Sequence, residues 1–207
     1  MKAREAWFTV MAPYKTSLGL IQLPHPAPML TEKQMANCHL LPTRDAVLQK
    51  MKTGGVVAEV GVQTGEFSRT ILDLCSPSKL HLIDIDLNRF SVGERFKNEV
   101  ASGAVQLHQG DSSSILRQFE DDYFDFIYID ADHSYHGVKR DIQAGKSKVK
   151  DDGFLLFNDY TYWSPAECTP YGVIQAVNEL CIEEDWEMIY FALAYYMYCD
   201  VALRRRQ

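Results

Sequence analysis

The sequence predicts an α/β fold: a doubly wound, mostly parallel seven-stranded sheet that closes with a C-terminal antiparallel hairpin. Three observations carry this. From Val56 onward, short apolar runs alternate five times with segments of helical periodicity, and strands in such a series bury both faces only in a parallel sheet with right-handed crossovers. The last two apolar runs, Trp186–Leu193 and Tyr196–Arg204, are separated by only a residue or two, too few for a parallel crossover, so they must pair antiparallel. Finally, 207 residues fit one domain better than two, since single cores are comfortable at roughly 100–200 residues.

Each element follows from local chemistry. Pro13, Pro24, Pro26 and Pro28 interrupt residues 1–41 and forbid a long helix, yet Trp7, Phe8, Tyr14, Leu20 and Ile21 are too apolar for a solvated tail. The segment is expected to pack as a lid or as a subunit contact that supports a homo-oligomer, leaving residues 42–207 as the functional domain. Pro42 to Met51 reads as a short helix ended by Gly54-Gly55. Val56–Val60 is the first strand, followed by a helix over Glu66–Leu74, and Leu80–Ile85 is the second, followed by a helix from Asn88 to about Val100. Ala104–His108 is the third strand, with a short helix near Ser113–Phe119. Phe124–Ile129 is the fourth, and its helix carries Val138, Ile142, Gly145 and Val149 at helical spacing. Gly153–Phe157 is the fifth, followed by the loop Asp159–Thr169 and a helix with Ile174, Val177 and Cys181 inward.

Composition narrows the function. Apolar residues at 46% and charged residues at 24% are ordinary for a globular protein, and 12 Gly with 8 Pro exclude a low-complexity majority. A net charge of −7, from 21 basic and 28 acidic residues, has the wrong sign for neutralising a phosphate backbone, so no nucleic-acid partner is expected. The five cysteines include no C-x-x-C pair, which suggests neither a disulfide framework nor a thiolate zinc site and fits a reducing, cytoplasmic setting. No apolar run approaches 18 residues and no signal-like apolar region follows Met1, so neither membrane insertion nor export is expected.

Ligands of such sheets bind beyond the carboxyl ends of the strands, near the first strand, so the residues just past each strand carry the chemistry. After the first strand, Gly61 and Gly65 let a ligand approach the backbone, and the next helix offers its positive end. After the second stands Asp84, 23 residues beyond Gly61, suited to accept both hydroxyls of a ribose. After the third stands Gly110-Asp111-Ser112, where a short acid can accept from an exocyclic amine such as that of adenine. Singly, each is as easily a turn or a helix cap. Their ordered spacing specifies an adenosine-containing ligand, and the absence of G-x-G-x-x-G argues against a dinucleotide.

Quoted as they stand, Glu59-Val-Gly-Val-Gln-Thr-Gly65, Leu82-Ile-Asp84-Ile-Asp86, Gly110-Asp111-Ser112, Phe124-Asp-Phe-Ile-Tyr-Ile-Asp130-Ala-Asp132-His133 and Gly153-Phe-Leu-Leu-Phe-Asn158-Asp159 resemble the class I S-adenosylmethionine-dependent methyltransferases, whose Rossmann-like fold also ends in an antiparallel hairpin. The stretch from Ile129 to Ile142 is most similar to the metal-dependent branch that contains macrocin O-methyltransferase and is related to catechol O-methyltransferase. The resemblance implies that Glu59 and Gly61 hold the methionine part of the cofactor, that Asp84 holds the ribose, and that Asp111 with Ser112 holds the adenine, with Gly65 and Ser68 also counted among the cofactor-binding residues.

A second constellation comprises Asp130, Asp132 and His133 after the fourth strand and Asn158-Asp159 after the fifth. Strands about 4.8 Å apart bring Asp130 and Asp159 within reach of one ion, and Asp130, Asn158 and Asp159 offer the oxygen ligands that suit Mg²⁺. In the resembling branch these positions carry the metal, although relatives have Asp-Asn or Glu-Asp where this chain has Asn158-Asp159-Tyr160. His133, three residues past Asp130, stands where such relatives place a general base, and a helix start with a nearby cation would keep its ring neutral. The reading is methyl transfer to a hydroxyl of a small-molecule acceptor, with Asp130 and His133 catalytic and Tyr160, Tyr162 and Trp163 as an aromatic acceptor wall. Two alternatives stand beside it: a metal-independent N-methyltransferase, and a non-methylating S-adenosylmethionine-binding protein or hydroxylase relative. The acceptor itself is not legible.

Overall fold

The structure, a computed structural model, describes residues 27–194 and 197–206. A central sheet is flanked by helices on both faces. Its strands are β1 (His39–Leu41), β2 (Val56–Val60), β3 (Lys79–Asp84), β4 (Val105–Gln109), β5 (Phe124–Ile129), β6 (Val149–Phe157), β9 (Trp186–Ala192) and β10 (Asp200–Arg205), and a separate small hairpin is formed by β7 (Trp163–Ser164) and β8 (Thr169–Pro170). The helices are α1 (Glu32–Met35), α2 (Arg44–Leu48), α3 (Glu66–Cys75), α4 (Val92–Arg95), α5 (Lys97–Ala101), α6 (Ser112–Leu116), α7 (Tyr135–Gly145) and α8 (Val173–Glu183).

The order across the sheet is β1-β9-β10-β6-β5-β2-β3-β4, with β2 through β6 parallel and β10 antiparallel to both neighbours. The expected C-terminal hairpin is therefore β9 with β10, in which Val201 faces Phe191. The sheet has eight strands rather than seven, because β1, from the proline-rich stretch, adds in parallel to β9. Three residues with two exposed side chains give no period to read in a sequence. The rest of the N-terminal segment, residues 1–26, lies outside the described residues.

Two cores sandwich the sheet. On one face Ile127, Ile129 and Phe157 meet Val138 and Ile142 of α7 and Val177 and Cys181 of α8. On the other, Val57, Leu82, Phe126 and Tyr128 meet Leu48 of α2, Phe67 and Ile71 of α3, and Phe96. Each fully buried side chain of this size contributes about 1.5–3 kcal/mol, so strand order is fixed by both faces at once.

Two helices differ from the expected ranges. The helix expected over Asn88–Val100 is two short ones, because the fully buried Phe96 adopts a non-helical conformation between them to reach the core. The helix after the fourth strand stops at Gly145, and Val149 opens β6 instead. Among the described residues no helix is long and apolar enough to cross a membrane.

Candidate active site

Chain order reverses at β2: from it the chain runs outward through β3 and β4, then returns to place β5 on its other side. The carboxyl ends of β2 and β5 therefore diverge into a crevice, here a cavity of about 660 Å³ lined by Glu59, Gly61, Asp84, Asp111, Ser112 and Asp130 among others. Gly61 makes this possible. Its φ is +87°, and a Cβ there would lie 2.0 Å from the carbonyl oxygen of Asp130, so only glycine lets the loop cross the end of β5. Asp84 holds that loop from β3: its Oδ2 accepts the N–H groups of Val62 at 2.7 Å and Gln63 at 3.0 Å, and its Oδ1 that of Asp86 at 2.9 Å. Burial alone would raise the Asp84 pKa, but these backbone donors hold it below the ordinary carboxylate value, leaving an anion in the cavity wall.

Glu59 is deeply buried, and desolvation lifts its pKa to about 8 even though the Ser68 hydroxyl donates to its Oε2. Ser68 thus supports Glu59 rather than lining the cavity. Gly65 also lies off the lining: it caps α3 in the left-handed region at φ +76°, where a Cβ would lie 2.7 Å from the Phe96 ring. Asp111 caps α6, its Oδ1 accepting from Ser114 N at 2.8 Å and from the Ser113 hydroxyl at 2.9 Å, while the Ser112 hydroxyl donates to Asp141 at 2.6 Å. Both still line the cavity, facing Ile85, Arg89 and Phe90.

A second cavity of about 1020 Å³ continues beyond Asp130 and His133, shares Arg44, Gln63, Glu66 and Phe67 with the first, and reaches Asp159, Tyr171, Tyr198 and Asp200. At the junction, His133 Nε2 lies 3.3 Å from Asp130 Oδ1 and 3.6 Å from Asp159 Oδ2, yet it is sealed from solvent and closes a well-aligned hydrogen bond with neither. Its ring stacks on Tyr171 with centroids 4.5 Å apart and planes 9° apart, and its carbonyl accepts from Gly172 N at 2.8 Å. Burial on its own would lower the imidazole pKa, but Asp130, Asp159 and Asn158 outweigh it and raise the value. The expectation of a ring kept neutral is therefore corrected: the flanking carboxylates favour imidazolium. Asp159 is lifted to about 6, chiefly by burial and against the pull of His133.

Three residues here have no counterpart in the sequence reading. Tyr128 donates to Asp200 Oδ2 at 2.6 Å, and Asn158 Nδ2 donates to Tyr128 at 3.1 Å and to Asp200 Oδ1 at 3.3 Å. Burial raises the Asp200 pKa to about 7. Arg44, whose guanidinium sits 4.1 Å from the centre of the Phe67 ring, supplies the positive charge this group faces. A lone Asp at the head of an apolar strand was the available signal for Asp200. Tyr128, inside an unbroken apolar run, gave none.

The set expected for Mg²⁺ does not fit an ion as arranged. The Asn158 amide is engaged by Tyr128 and Asp200, the imidazole fills the space between Asp130 and Asp159, and among the described residues no group of three His, Cys, Asp or Glu is placed to hold a metal. The expected aromatic wall also moves. Tyr160 donates to Asn178 at 2.6 Å inside the core, and Tyr162 and Trp163 lie off the cavity, which Tyr171, Tyr198 and Phe67 line instead.

Residues 58–160, 103 of the 207, match a family model described as a methyltransferase domain. That match spans just under half of the chain and makes this stretch similar to methyltransferase domains. No curated protein matches the chain. Among solved structures, a Corynebacterium glutamicum protein from a structural genomics consortium superposes with a TM-score of 0.60 at 13% identity, over 96% of this chain and 90% of that one. A SAM-dependent methyltransferase from Aquifex aeolicus gives 0.59 at 16% identity over 79% and 89%. The B. subtilis tRNA methyltransferase TrmK gives 0.57 at 16% identity over 81% and 67%. At such identities the likeness is one of fold.

Proposed function

We propose that this chain methylates a hydroxyl of a small-molecule acceptor, with His133 as the general base and without a resident divalent metal. The observation that carries the reading is the placement of His133 between Asp130 and Asp159 at the junction of two cavities, both of which it lines. The first cavity suits adenosine, with Asp84 toward the ribose hydroxyls, Ile85 and Phe90 beside the base, and Glu59 toward the methionine part. S-adenosylmethionine supplies the activated methyl group and departs as S-adenosylhomocysteine. His133 takes the acceptor's hydroxyl proton at Nε2 as the oxygen attacks the methyl carbon. Asp130 and Asp159, which both face Nε2, stabilise the resulting imidazolium. Juxtaposing two bound reactants is worth up to about 7–11 kcal/mol, and base catalysis adds on the order of 10²–10⁴-fold.

Methyl transfer to a panel of phenols and sugars, followed as S-adenosylhomocysteine release before and after exhaustive EDTA treatment, tests this reading. Unchanged turnover after chelation and an O-methylated product support it. Loss of turnover restored by Mg²⁺ returns the metal to the site, and an N-methylated product selects the amine alternative.

A further inference from the structure

We propose that Asp141, buried behind the wall of the first cavity, is a positioning residue that sets the cavity's choice of base through Ser112. By holding the Ser112 hydroxyl proton it makes that oxygen an acceptor alone, so that the cavity takes a 6-amino purine and rejects a 6-oxo one. The proposal rests on reading this cavity as the cofactor pocket and deepens that reading by naming what selects the base.

Asp141 lies on α7 beside Ile142, whose side chain packs into the core, and is itself 2% exposed. A carboxylate buried there is costly unless a donor reaches it. The Ser112 hydroxyl, at the start of α6, donates to its Oδ1 at 2.6 Å, and no other side chain among the described residues donates to it. Its neighbour Arg140 turns instead to Asp132, at 3.5 Å. Burial lifts the Asp141 pKa to about 6 against the pull of Ser112, so above neutrality the group is a carboxylate and can only accept. The proton between the two oxygens therefore comes from Ser112.

A serine hydroxyl has one proton to give and two lone pairs to offer. Left free to rotate, it would donate to a ligand oxygen as readily as it would accept from a ligand amine. With its proton committed to Asp141, Ser112 shows the cavity lone pairs only. Asp111 stands beside it on the lining, and its carboxylate is likewise an acceptor. Ile85 and Phe90, 72% and 39% exposed on the same cavity, supply apolar surface that a planar ring would cover. An exocyclic amine meets this edge with hydrogens. A carbonyl oxygen in the same place meets it with lone pairs, leaving acceptors desolvated against one another. A mere tie between α6 and α7 needs only that the Ser112–Asp141 bond exist, whereas the ligand senses which way its proton points.

The test is calorimetry at pH 8 with S-adenosylhomocysteine and S-inosylhomocysteine, which differ at the 6-position of the purine. The wild type should prefer the adenine compound by about 30-fold or more, the scale of one such mismatch. Asp141→Asn keeps the size of the side chain but can donate to Ser112 Oγ, which frees the hydroxyl to donate in turn. That variant should lower the preference about tenfold, chiefly by tightening the inosine compound. Ser112→Ala should lower it to a similar extent, Ser112→Thr should retain it, and Asp141→Asn should add nothing once Ser112 is alanine. Ser112 is only half-buried, so its alanine variant keeps the test open should the buried substitution fail to fold. Equal binding of the two compounds by the wild type, a preference unmoved by Asp141→Asn or by Ser112→Ala, or full additivity in the double variant overturns the inference. Absence of S-adenosylhomocysteine binding by the wild type overturns the cofactor reading itself, an outcome distinct from binding without discrimination.

Discussion

Gly61 and the carbonyl oxygen of Asp130 stand so close that a single added methyl group would lie 2.0 Å from that oxygen. The two residues end neighbouring strands, and Asp130 N donates to Val60 O at 2.7 Å to draw them together. Gly61→Ala must therefore move backbone, and its φ of +87° adds strain for any side chain. We expect a loss of about 2 kcal/mol or more in stability and at least a tenfold loss in S-adenosylhomocysteine affinity, measured by thermal unfolding and calorimetry. A fully stable, fully binding Gly61→Ala protein would show that the loop has room the geometry denies it.

Glu59 has a folded pKa of about 8, above the ordinary value for a glutamate. A raised pKa means that the folded state holds the proton more tightly, so this contribution is complete at low pH and is lost as pH rises toward and through 8. Glu59→Gln mimics the protonated form and keeps an acceptor for Ser68. The variant should match or exceed the wild type in Tm at pH 8, yet bind S-adenosylhomocysteine more weakly, because the carboxylate that would face the methionine ammonium is gone. Equal loss of stability at every pH would show that Glu59 is held ionised.

The two carboxylates beside His133 raise its pKa above that of an ordinary histidine. Imidazolium cannot accept a proton, so kcat/KM should fall as pH drops through a value above 6.5. His133→Ala should lower kcat by roughly 10²-fold or more with S-adenosylhomocysteine affinity nearly intact, and high pH should partly rescue it. Wild-type turnover in a folded His133→Ala protein would remove His133 from the chemistry.

Away from the site, His81 Nδ1 lies 2.9 Å from His108 Nε2, and its Nε2 lies 3.3 Å from the Tyr123 hydroxyl. Burial, followed by the charges of His108 and Lys79, lowers the His81 pKa to about 4. With a depressed folded pKa, the unfolded chain takes up the proton first. Stability is therefore full above about pH 6.5 and is lost as pH falls toward 4, by on the order of 2 kcal/mol. Urea unfolding across this window should be less acid-sensitive for His81→Phe than for the wild type, and identical slopes would assign the acid response elsewhere.

What the sequence disclosed follows from what repeats. The five βα units and the final hairpin were legible because burying both faces of a parallel sheet demands unbroken apolar runs, and Phe124–Ile129 is one such run, buried at every position. The position of Asp130 and His133 on the cavity wall was legible because the crevice of such a sheet opens at its strand ends. The Tyr128–Asp200–Asn158 group was not, since its members lie 72 and 42 residues apart and meet only through the β6–β10 pairing. The state of the His133 ring was equally hidden: a helix start argues for neutrality, and the approach of the Asp130 carboxylate, with Asp159 and Asn158 beside it, reverses it. β1 has too few residues to display any period.

That same β1 sets a timetable. Among the described residues it has no partner in the sheet except β9, and Leu41 O accepts from Leu193 N at 3.0 Å, so Pro42, Thr43 and Arg44 are pinned at the mouth of the second cavity only after residues as far as Leu193 have emerged during synthesis. The 660 Å³ pocket, by contrast, draws most of its wall from residues 59–140 and can close earlier. The nascent protein would thus pass through a stage with the first cavity walled and the second still incomplete, and the docking of β9 and β1 would be what completes it.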